Sequence, residues 1–147
     1  MPNTKPWLSK SAVQLRQQLD DCFPDRKRNS DGWAADSRHI NSGKPSDHIP
    51  DPTGNFVVRA IDIDAALSQE RGLSAYLADQ FRQYGKANSR IAYVIHLGKI
   101  ASPLLGWRWR PYKGFSPHNH HIHISFTKDS DNDNSFFDIP LLGGKIG

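Results

Sequence analysis

A short segment near the end of the chain combines alternating apolar residues with closely spaced histidines. From His121 to Thr127, apolar side chains occupy every second position, which predicts a half-buried β-strand. Because side chains two residues apart on a strand point to the same side, His121 and His123 should share one face. Two imidazoles on one side of a rigid strand make a poor core and a good start for a metal site.

Further candidate ligands lie upstream, around a second apolar run. His48 precedes residues 56–63, which are rich in valine and isoleucine and predict a strand. Asp62 and Asp64 should share the face opposite the isoleucines of this run. One aspartate and two histidines from separate elements, with a fourth position open to water, are typical of a catalytic zinc site. A structural zinc more often uses cysteines, and the sequence has only Cys22.

Three short motifs, taken together, resemble a known enzyme family. They are Ser46-Asp47-His48, Ala60-Ile61-Asp62 and His118-x-x-His121-x-His123. They look like the SxH…AxD…HxH signature of the zinc peptidases that cut bacterial peptidoglycan, the D-alanyl-D-alanine carboxypeptidase/VanX-like group. The pattern is most similar to the peptidase domains of bacteriophage endolysins, and the resemblance extends from Asp36 to Phe126.

The resemblance implies a role for each matching residue. His48, Asp62 and His123 would bind one catalytic Zn²⁺. His121 takes the place of the catalytic histidine beside the metal, and His118 that of a further active-site histidine. Two more residues, Ser46 and Arg38, would lie near the substrate.

The spacing of the motifs leaves one ligand open. The gap between His48 and Asp62 is longer than is usual in the family, and the additional residues, 49–55, include two prolines and a glycine. These residues predict a surface loop. A shift in register caused by this loop would make Asp64 the ligand instead of Asp62. The sequence also lacks an acidic residue three positions before His121, so proton transfer is expected to fall on one of the histidines.

Aromatic and cationic residues precede the histidine-rich strand. Trp109, with Trp107 and Tyr112, either walls a substrate groove or covers the core. Arg110, like Arg38, is a candidate to hold a substrate carboxylate, because a guanidinium binds a carboxylate through two hydrogen bonds.

Periodicity elsewhere predicts an α+β domain with a small antiparallel sheet and flanking helices. Ser11 with Gln14 resembles a capping box at the start of one helix, and Gly85 resembles the C-cap of another. The predicted elements are helices over 11–23 and 74–84 and a hairpin of 91–97 with 99–102, in addition to the two strands above. The resemblance implies a hedgehog/D-Ala-D-Ala-peptidase-like fold, with zinc in a cleft on the sheet.

Three residues outside the proposed ligand set, His96, His120 and Cys22, are predicted to have structural rather than catalytic roles. His96 lies within an apolar run and is interpreted as a strand histidine with a satisfied hydrogen bond. His120 should point away from His121 and be exposed. Cys22, on an amphipathic stretch, is predicted to be a buried thiol.

Composition and the ends of the chain lead to predictions about domain bounds, membrane segments and partners. Residues 1–139 are predicted to form one catalytic domain, and 140–147 a tail or linker. No stretch is long and apolar enough for a membrane span, and the first residues lack the apolar region of a signal peptide. A net charge of +4 favours anionic polymers. We expect a monomer without a nucleic-acid partner and without membrane insertion. By resemblance, it would be made in the host cytoplasm and act on the cell wall.

These features lead to one main functional hypothesis and three alternatives. The main hypothesis is a zinc-dependent, endolysin-like endopeptidase that cuts the stem or cross-link peptide of peptidoglycan. A D-alanyl-D-alanine carboxypeptidase is the first alternative. The others are a metal-dependent nuclease, suggested by the positive charge and by the triplet from His118 to His120, and an inactive wall-binding module.

Overall fold

The computed structural model describes residues 5–33, 46–114 and 118–144, which form an α+β arrangement of two helices and a small antiparallel sheet. The strands are β1 (Trp7–Leu8), β2 (Val57–Val58), β3 (Ala60–Asp64), β4 (Ile91–His96), β5 (Lys99–Ala101), β6 (Arg110–Pro111) and β7 (His121–Phe126), and the helices are α1 (Lys10–Cys22) and α2 (Leu73–Ala87). Five antiparallel strands form the sheet in the order β3-β7-β4-β5-β6, and β1 pairs separately with β2 in parallel.

The two strands predicted to carry ligands are neighbours in the sheet. In β7, Ile122 and Ile124 are fully buried, and in β3, Ile61 and Ile63 are 2% and 1% exposed. Because side chains alternate along a strand, the isoleucines form one apolar face and the residues between them form the other. The apolar face packs into the core with both helices, which leaves the polar face for the site.

The predicted strand over 56–63 is divided into two shorter strands. Val57 and Val58 pair with β1, whereas the chain from Ala60 onward pairs with β7. The break falls at Arg59, whose guanidinium binds the carboxylates of Asp51 and Asp131, both at 2.7 Å. The chain therefore changes its pairing partner at one residue, and the apolar pattern of the sequence does not reveal this.

Helix α1 begins earlier than its sequence indicates. Its N-cap is Ser9, whose side-chain oxygen accepts a hydrogen bond from the backbone N–H of Ala12 at 3.3 Å. The predicted capping box at Ser11 is wrong, because Ser11 is fully buried inside the helix and its hydroxyl donates to the carbonyl of Asp133. The prediction of a buried Cys22 is also wrong: the thiol is exposed at the last residue of α1, where the apolar face of the helix ends.

Helix α2 continues past the glycine predicted to end it. Leu77 and Phe81 are fully buried, as the helical pattern predicts. Gly85, however, lies inside the helix, and the C-cap is Asn88. A Cβ atom at Gly85 would lie 2.5 Å from the ring of Trp107, so the glycine allows a close approach of the helix and the indole.

The predicted hairpin of β4 and β5 is confirmed. Its two-residue turn consists of Leu97 and Gly98, with φ of 52° and 74°. Two left-handed residues in a row are the signature of a type I′ turn, whose twist matches that of the flanking strands.

The chain remains packed beyond the expected domain boundary at residue 139. A short 3₁₀ turn, Pro140–Leu142, buries Leu142 in the same core that holds Phe137 and Ile139. Gln18 of α1 donates to the carbonyls of Phe137 and Leu142, both at 2.9 Å. Within the residues that the structure describes, no helix is long and apolar enough to cross a membrane.

Candidate metal centre

The polar face of β3 and β7 brings the predicted aspartates and histidines together. In the antiparallel register, Asp62 lies opposite His123 and Asp64 lies opposite His121. Cross-strand pairs share a face of the sheet, so these side chains project to the same side. The prediction that His121 and His123 lie on one face is therefore confirmed.

His48 reaches the same place from a loop. The backbone N–H of His48 donates to the hydroxyl of Ser46 at 3.2 Å, and that of Ile49 donates to the Ser46 carbonyl at 3.1 Å. This turn brings Nε2 of His48 to 3.2 Å from Oδ2 of Asp62. Ser46 thus lies near the site, where it supports the turn that carries a candidate ligand.

The tautomer of His48 follows from its second contact. Nδ1 of His48 lies 2.7 Å from the backbone carbonyl oxygen of Trp33. A carbonyl can only accept, so Nδ1 carries the hydrogen. In a neutral ring, Nε2 then bears a lone pair, which faces the carboxylate of Asp62.

The tautomer of His123 also follows from its hydrogen-bond partners. Its Nε2 lies 2.7 Å from the hydroxyl oxygen of Ser125, and this hydroxyl lies 2.7 Å from Oδ2 of Asp47. The serine has one hydrogen to donate, and an ionised carboxylate can only accept it, so Nε2 of His123 donates to the serine oxygen. Nδ1 of His123 is then the lone-pair nitrogen, and it lies 3.1 Å from Oδ1 of Asp62.

Two nitrogen lone pairs therefore face one negatively charged carboxylate, which is repulsive unless positive charge lies between them. Either bound protons or a metal ion supplies that charge. The ligand atoms of His48, Asp62 and His123 all lie within 4.8 Å of one another, so the three residues are geometrically able to hold a metal ion. This residue set fits a metal because each imidazole already donates its other N–H to a neighbour, as metal-binding histidines almost always do.

Two further histidines stand beside this group. Nε2 of His121 lies 3.6 Å from Oδ1 of Asp62, and the ring of His118 is 4.8 Å from that of His121 and 5.3 Å from that of His123. Asp62, His118 and His121 also have ligand atoms within 4.8 Å of one another. Asp62 is common to both groups, which makes it the centre of the cluster.

The ionisable groups of the cluster have shifted pKa values. Burial raises the pKa of Asp62, but the hydrogen bonds that His123 and His48 donate to it when the facing nitrogens carry protons outweigh burial and hold the pKa well below its usual range. Burial lowers the pKa of His48, whereas the hydrogen bond and charge of Asp62 raise it by more, so the net pKa is above the ordinary value. Burial also lowers the pKa of His121, which the charge of Asp62 offsets only in part. His121 is thus the more easily deprotonated of these two imidazoles.

His96 forms hydrogen bonds with the backbone of two histidines of the cluster. It is 3% exposed, and its Nδ1 donates to the carbonyls of His118 and His121, both at 2.9 Å, while its Nε2 accepts from the hydroxyl of Ser74 at 3.1 Å. The interpretation of His96 as a strand histidine with satisfied hydrogen bonds is confirmed. Its contact with His118 also holds that residue in a left-handed conformation, φ 58°, which non-glycine residues seldom adopt.

Asp64 has a different task from Asp62. Its carboxylate accepts from the backbone N–H groups of Ser30, at 3.0 Å, and of Ala66, at 2.8 Å. It is 6% exposed and belongs to neither group of candidate ligands among the described residues. The contacts of the two carboxylates therefore favour Asp62 as the ligand.

The other predicted site residues are distributed over the molecule. Trp109 donates from Nε1 to Asp79 on α2 at 2.8 Å and packs against the core. Arg110 donates to the hydroxyl of Ser102 at 2.9 Å and to a nearby carbonyl in the same loop. Of the three predicted aromatic residues, Tyr112 is the one that approaches the cluster, with its ring 5.7 Å from that of His118. His120 is exposed, as expected, and Arg38 lies outside the described residues.

Three residues that the sequence reasoning missed complete the surroundings. Asp47 accepts hydrogen bonds from the hydroxyls of Ser125 and Tyr93, and the ring of Tyr93 stacks on that of His123 with centroids 5.6 Å apart. Ser125 continues the i, i+2 series of His121 and His123, so strand alternation was a signal that could have found it. Asp47 stands inside the Ser46-x-His48 motif, at the position that the motif leaves open.

Ser125, His123 and Asp62 also have the connectivity of a Ser-His-Asp catalytic triad, but they do not form one. Ser125 is fully buried, and its hydroxyl hydrogen is directed to Asp47. A triad serine must reach the substrate and give its proton to the histidine. Ser125 can do neither, so this serine is a support for His123.

The candidate metal centre thus combines a loop histidine with an aspartate and a histidine on adjacent strands. His121 and His118 stand next to it, where a proton donor or acceptor would be useful. No protein-family model, no curated protein and no solved structure matches the chain.

Proposed function

We propose that this protein is a zinc-dependent peptidase that hydrolyses a peptide bond in the stem or cross-link peptide of bacterial peptidoglycan. One observation carries the proposal: the lone-pair nitrogens of His48 and His123 both face the carboxylate of Asp62. Two nitrogens and one carboxylate oxygen, with no thiolate, are the ligand set of catalytic zinc sites, which keep a position open. The three sequence motifs give the substrate class by resemblance.

The order of the motifs and the architecture support a hedgehog/D-Ala-D-Ala-peptidase-like fold. In that fold we expect zinc in a cleft on the sheet, and the polar face of β3 and β7 is where the candidate ligands converge. The proposal includes a monomer that acts on the cell wall in the manner of an endolysin, with peptidoglycan as its partner.

The positions of His121 and His118 suggest how protons are transferred in the reaction. When bound, zinc supplies a Lewis acid that polarises a carbonyl and makes water more acidic. Burial lowers the pKa of His121, which favours the neutral imidazole, and its position 3.6 Å from Asp62 suits it to take the proton of the attacking water. The departing amine then receives a proton from His121, which has just taken one, or from His118, whose ring lies 4.8 Å from that of His121.

Among the residues that the structure describes, the contacts of two candidate arginines support an endopeptidase over a carboxypeptidase. A carboxypeptidase needs a cation for the terminal carboxylate of its substrate. Arg110 instead donates to Ser102 and to the carbonyl of Leu104, and Arg108 donates to the carbonyl of Leu105 at 3.2 Å. Both guanidiniums are thus engaged with the backbone and side chains of the 102–105 loop.

Digestion of purified peptidoglycan, with mass spectrometry of the released fragments, tests the proposal. We expect release of cleaved stem or cross-link peptides, loss of release with a chelator, and recovery with zinc. His121→Ala should lower the rate by about 10²–10⁴-fold while zinc stays bound. His120→Ala, which alters the exposed neighbour, should retain the rate of the unaltered protein.

Other outcomes would identify the alternatives. Release of D-alanine alone would replace the endopeptidase with a carboxypeptidase. Cleavage of plasmid DNA without release of peptides would indicate a nuclease. Binding to peptidoglycan without any zinc-dependent release would indicate a wall-binding module, and would overturn the proposed activity.

A further inference from the structure

Asp47 connects the loop of one candidate ligand to the strands of the other. It directly precedes His48, and its Oδ2 accepts the hydroxyl of Ser125 on β7 at 2.7 Å and the hydroxyl of Tyr93 on β4. Tyr93 and Ser125 are themselves cross-strand partners in the sheet. A single carboxylate oxygen therefore joins the 46–51 loop to two neighbouring strands.

On the β7 side, this contact determines how His123 presents its nitrogens. With the Ser125 hydroxyl donated to Asp47, the serine oxygen is left to accept from Nε2 of His123 at 2.7 Å. Tyr93, held by the same carboxylate, stacks on the imidazole at an interplanar angle of 18°. The tautomer and the plane of the His123 ring are thus both set by groups that Asp47 holds.

On the loop side, the same contact fixes the approach of His48. The hydrogen bonds of Asp47 dock the loop on the sheet at the residue next to the ligand. The carbonyl of Trp33 then orients the ring from the other side at 2.7 Å. Without the contact of Asp47, the His48 turn would be held by the bond to Trp33, the contact with Asp62 and the anchoring of the loop at Asp51, three residues farther along the chain.

We propose that Asp47 is a positioning residue for both imidazole ligands of the metal centre, acting on His123 through Ser125 and on His48 through the docked loop. The inference rests on the metal centre of the proposed function. It adds that the middle residue of the Ser46-Asp47-His48 motif governs metal affinity without contacting the metal. Outer partners of this kind alter metal affinity by about 10–100-fold when they are removed.

Zinc affinity, measured by competition with a chromophoric chelator, tests the role directly. Asp47→Ala and Ser125→Ala should each raise the Kd for zinc about 10–100-fold. Asp47→Asn, which keeps an acceptor and loses the charge, should have a smaller effect than Asp47→Ala. The double variant should bind zinc as tightly as whichever single variant has the higher Kd, because both changes break one chain of hydrogen bonds.

Matched controls separate positioning from general damage to the fold. Asp51→Asn alters an aspartate of the same loop that binds Arg59, and Ser130→Ala alters another fully buried serine, which donates to the carbonyl of Thr127. Both should bind zinc as the unaltered protein does. The ring-nitrogen NMR signals of His123 provide a second readout, and they should lose the single Nε2–H tautomer in Ser125→Ala.

The outcomes distinguish this inference from the proposed activity. If the unaltered protein binds zinc and the Asp47 and Ser125 variants bind it equally tightly, the positioning role is wrong, whatever the activity. If the variants lose affinity as expected but the unaltered protein does not cut peptidoglycan, the positioning role stands and the proposed activity falls. An unaltered protein that does not bind zinc overturns both.

Discussion

Asp62 and His123 are cross-strand neighbours whose Oδ1 and Nδ1 atoms lie 3.1 Å apart. Two of the three candidate ligands are thereby placed by the pairing of β3 with β7. A slip of one residue in either strand would turn its ligand toward the apolar face. The isoleucines that alternate with the ligands oppose such a slip, so the core of the protein also fixes the geometry of the site.

The two aspartates of β3 should respond differently to substitution. Asp62→Ala removes the shared carboxylate, and we expect the purified protein to contain no stoichiometric zinc. Asp64→Ala leaves the N–H groups of Ser30 and Ala66 without their acceptor, and should cost about 1–3 kcal/mol of folding free energy while zinc is retained. Elemental analysis and denaturant unfolding measure the two effects. The reverse pattern would make Asp64 the ligand.

Zinc affinity should rise with pH. The raised pKa of His48 means that its imidazole is protonated in the metal-free protein at mildly acidic pH, so zinc must displace this proton. The pKa of Asp62 is lowered, so the carboxylate is already ionised and releases none. Affinity should fall about tenfold for each pH unit below the pKa of His48.

In the metal-free protein, the raised pKa of His48 also affects the stability of the fold, and here the effect decreases as the pH rises. A raised pKa stabilises the fold below the ordinary histidine pKa of about 6.5, and this contribution is lost as the pH rises through the higher folded value.

Calorimetric titration in buffers of different ionisation enthalpy counts the protons released by zinc. A proton release that does not change between acidic and alkaline pH would contradict the assigned role of His48.

Bound zinc should stabilise the fold, because the metal centre exists only when loop and sheet are together. At a zinc concentration of about 100 times the Kd, the stabilisation is about 2.7 kcal/mol. For a chain of this size, that corresponds to a rise of roughly 5–10 °C in the unfolding temperature, which a chelator should reverse. His48→Ala should abolish most of the rise, and His120→Ala should keep it.

The contact between Gly85 and Trp107 should dominate the response of α2 to substitution. In an exposed helix interior, a change from glycine to alanine stabilises by about 1 kcal/mol. Here the added methyl group would lie 2.5 Å from the indole, and overpacking of this kind costs about 1–3 kcal/mol. We expect Gly85→Ala to lower the free energy of unfolding in denaturant titrations, and Trp107→Phe in the same chain to make the change less harmful. A more stable Gly85→Ala protein would contradict this packing.

Much of the candidate site could be predicted from sequence because local alternation governs it. Side chains two apart on a strand share a face whatever the rest of the fold does, and this placed Asp62 with Asp64 and His121 with His123. The choice between Asp62 and Asp64 required the contacts that each carboxylate makes, with His48 and His123 for Asp62 and with the Ser30 N–H for Asp64. These contacts depend on segments far apart in the chain.

The features that sequence reasoning missed depend on tertiary contacts. Ser9 and Ser11 are similar cap candidates by composition, and the carbonyl of Asp133 decides between them by engaging the hydroxyl of Ser11. Glycine is common at helix ends, but Gly85 lies inside α2, where the ring of Trp107 packs against it. Asp47 has no local pattern at all, since both of its hydroxyl partners come from distant strands.

The outer edge of β3 is covered by the segment that precedes the site. The backbone N–H of Asp62 donates to the carbonyl of Gly32 at 2.8 Å, and the N–H of Asp64 donates to the carboxylate of Asp31 at 2.7 Å. The opposite edge strand, β6, is only two residues long and ends in Pro111, which has no N–H to donate. Open strand edges are the usual route by which chains stack into aggregates, so these two edges of the five-stranded sheet, as far as the structure describes them, are poor templates for intermolecular sheets.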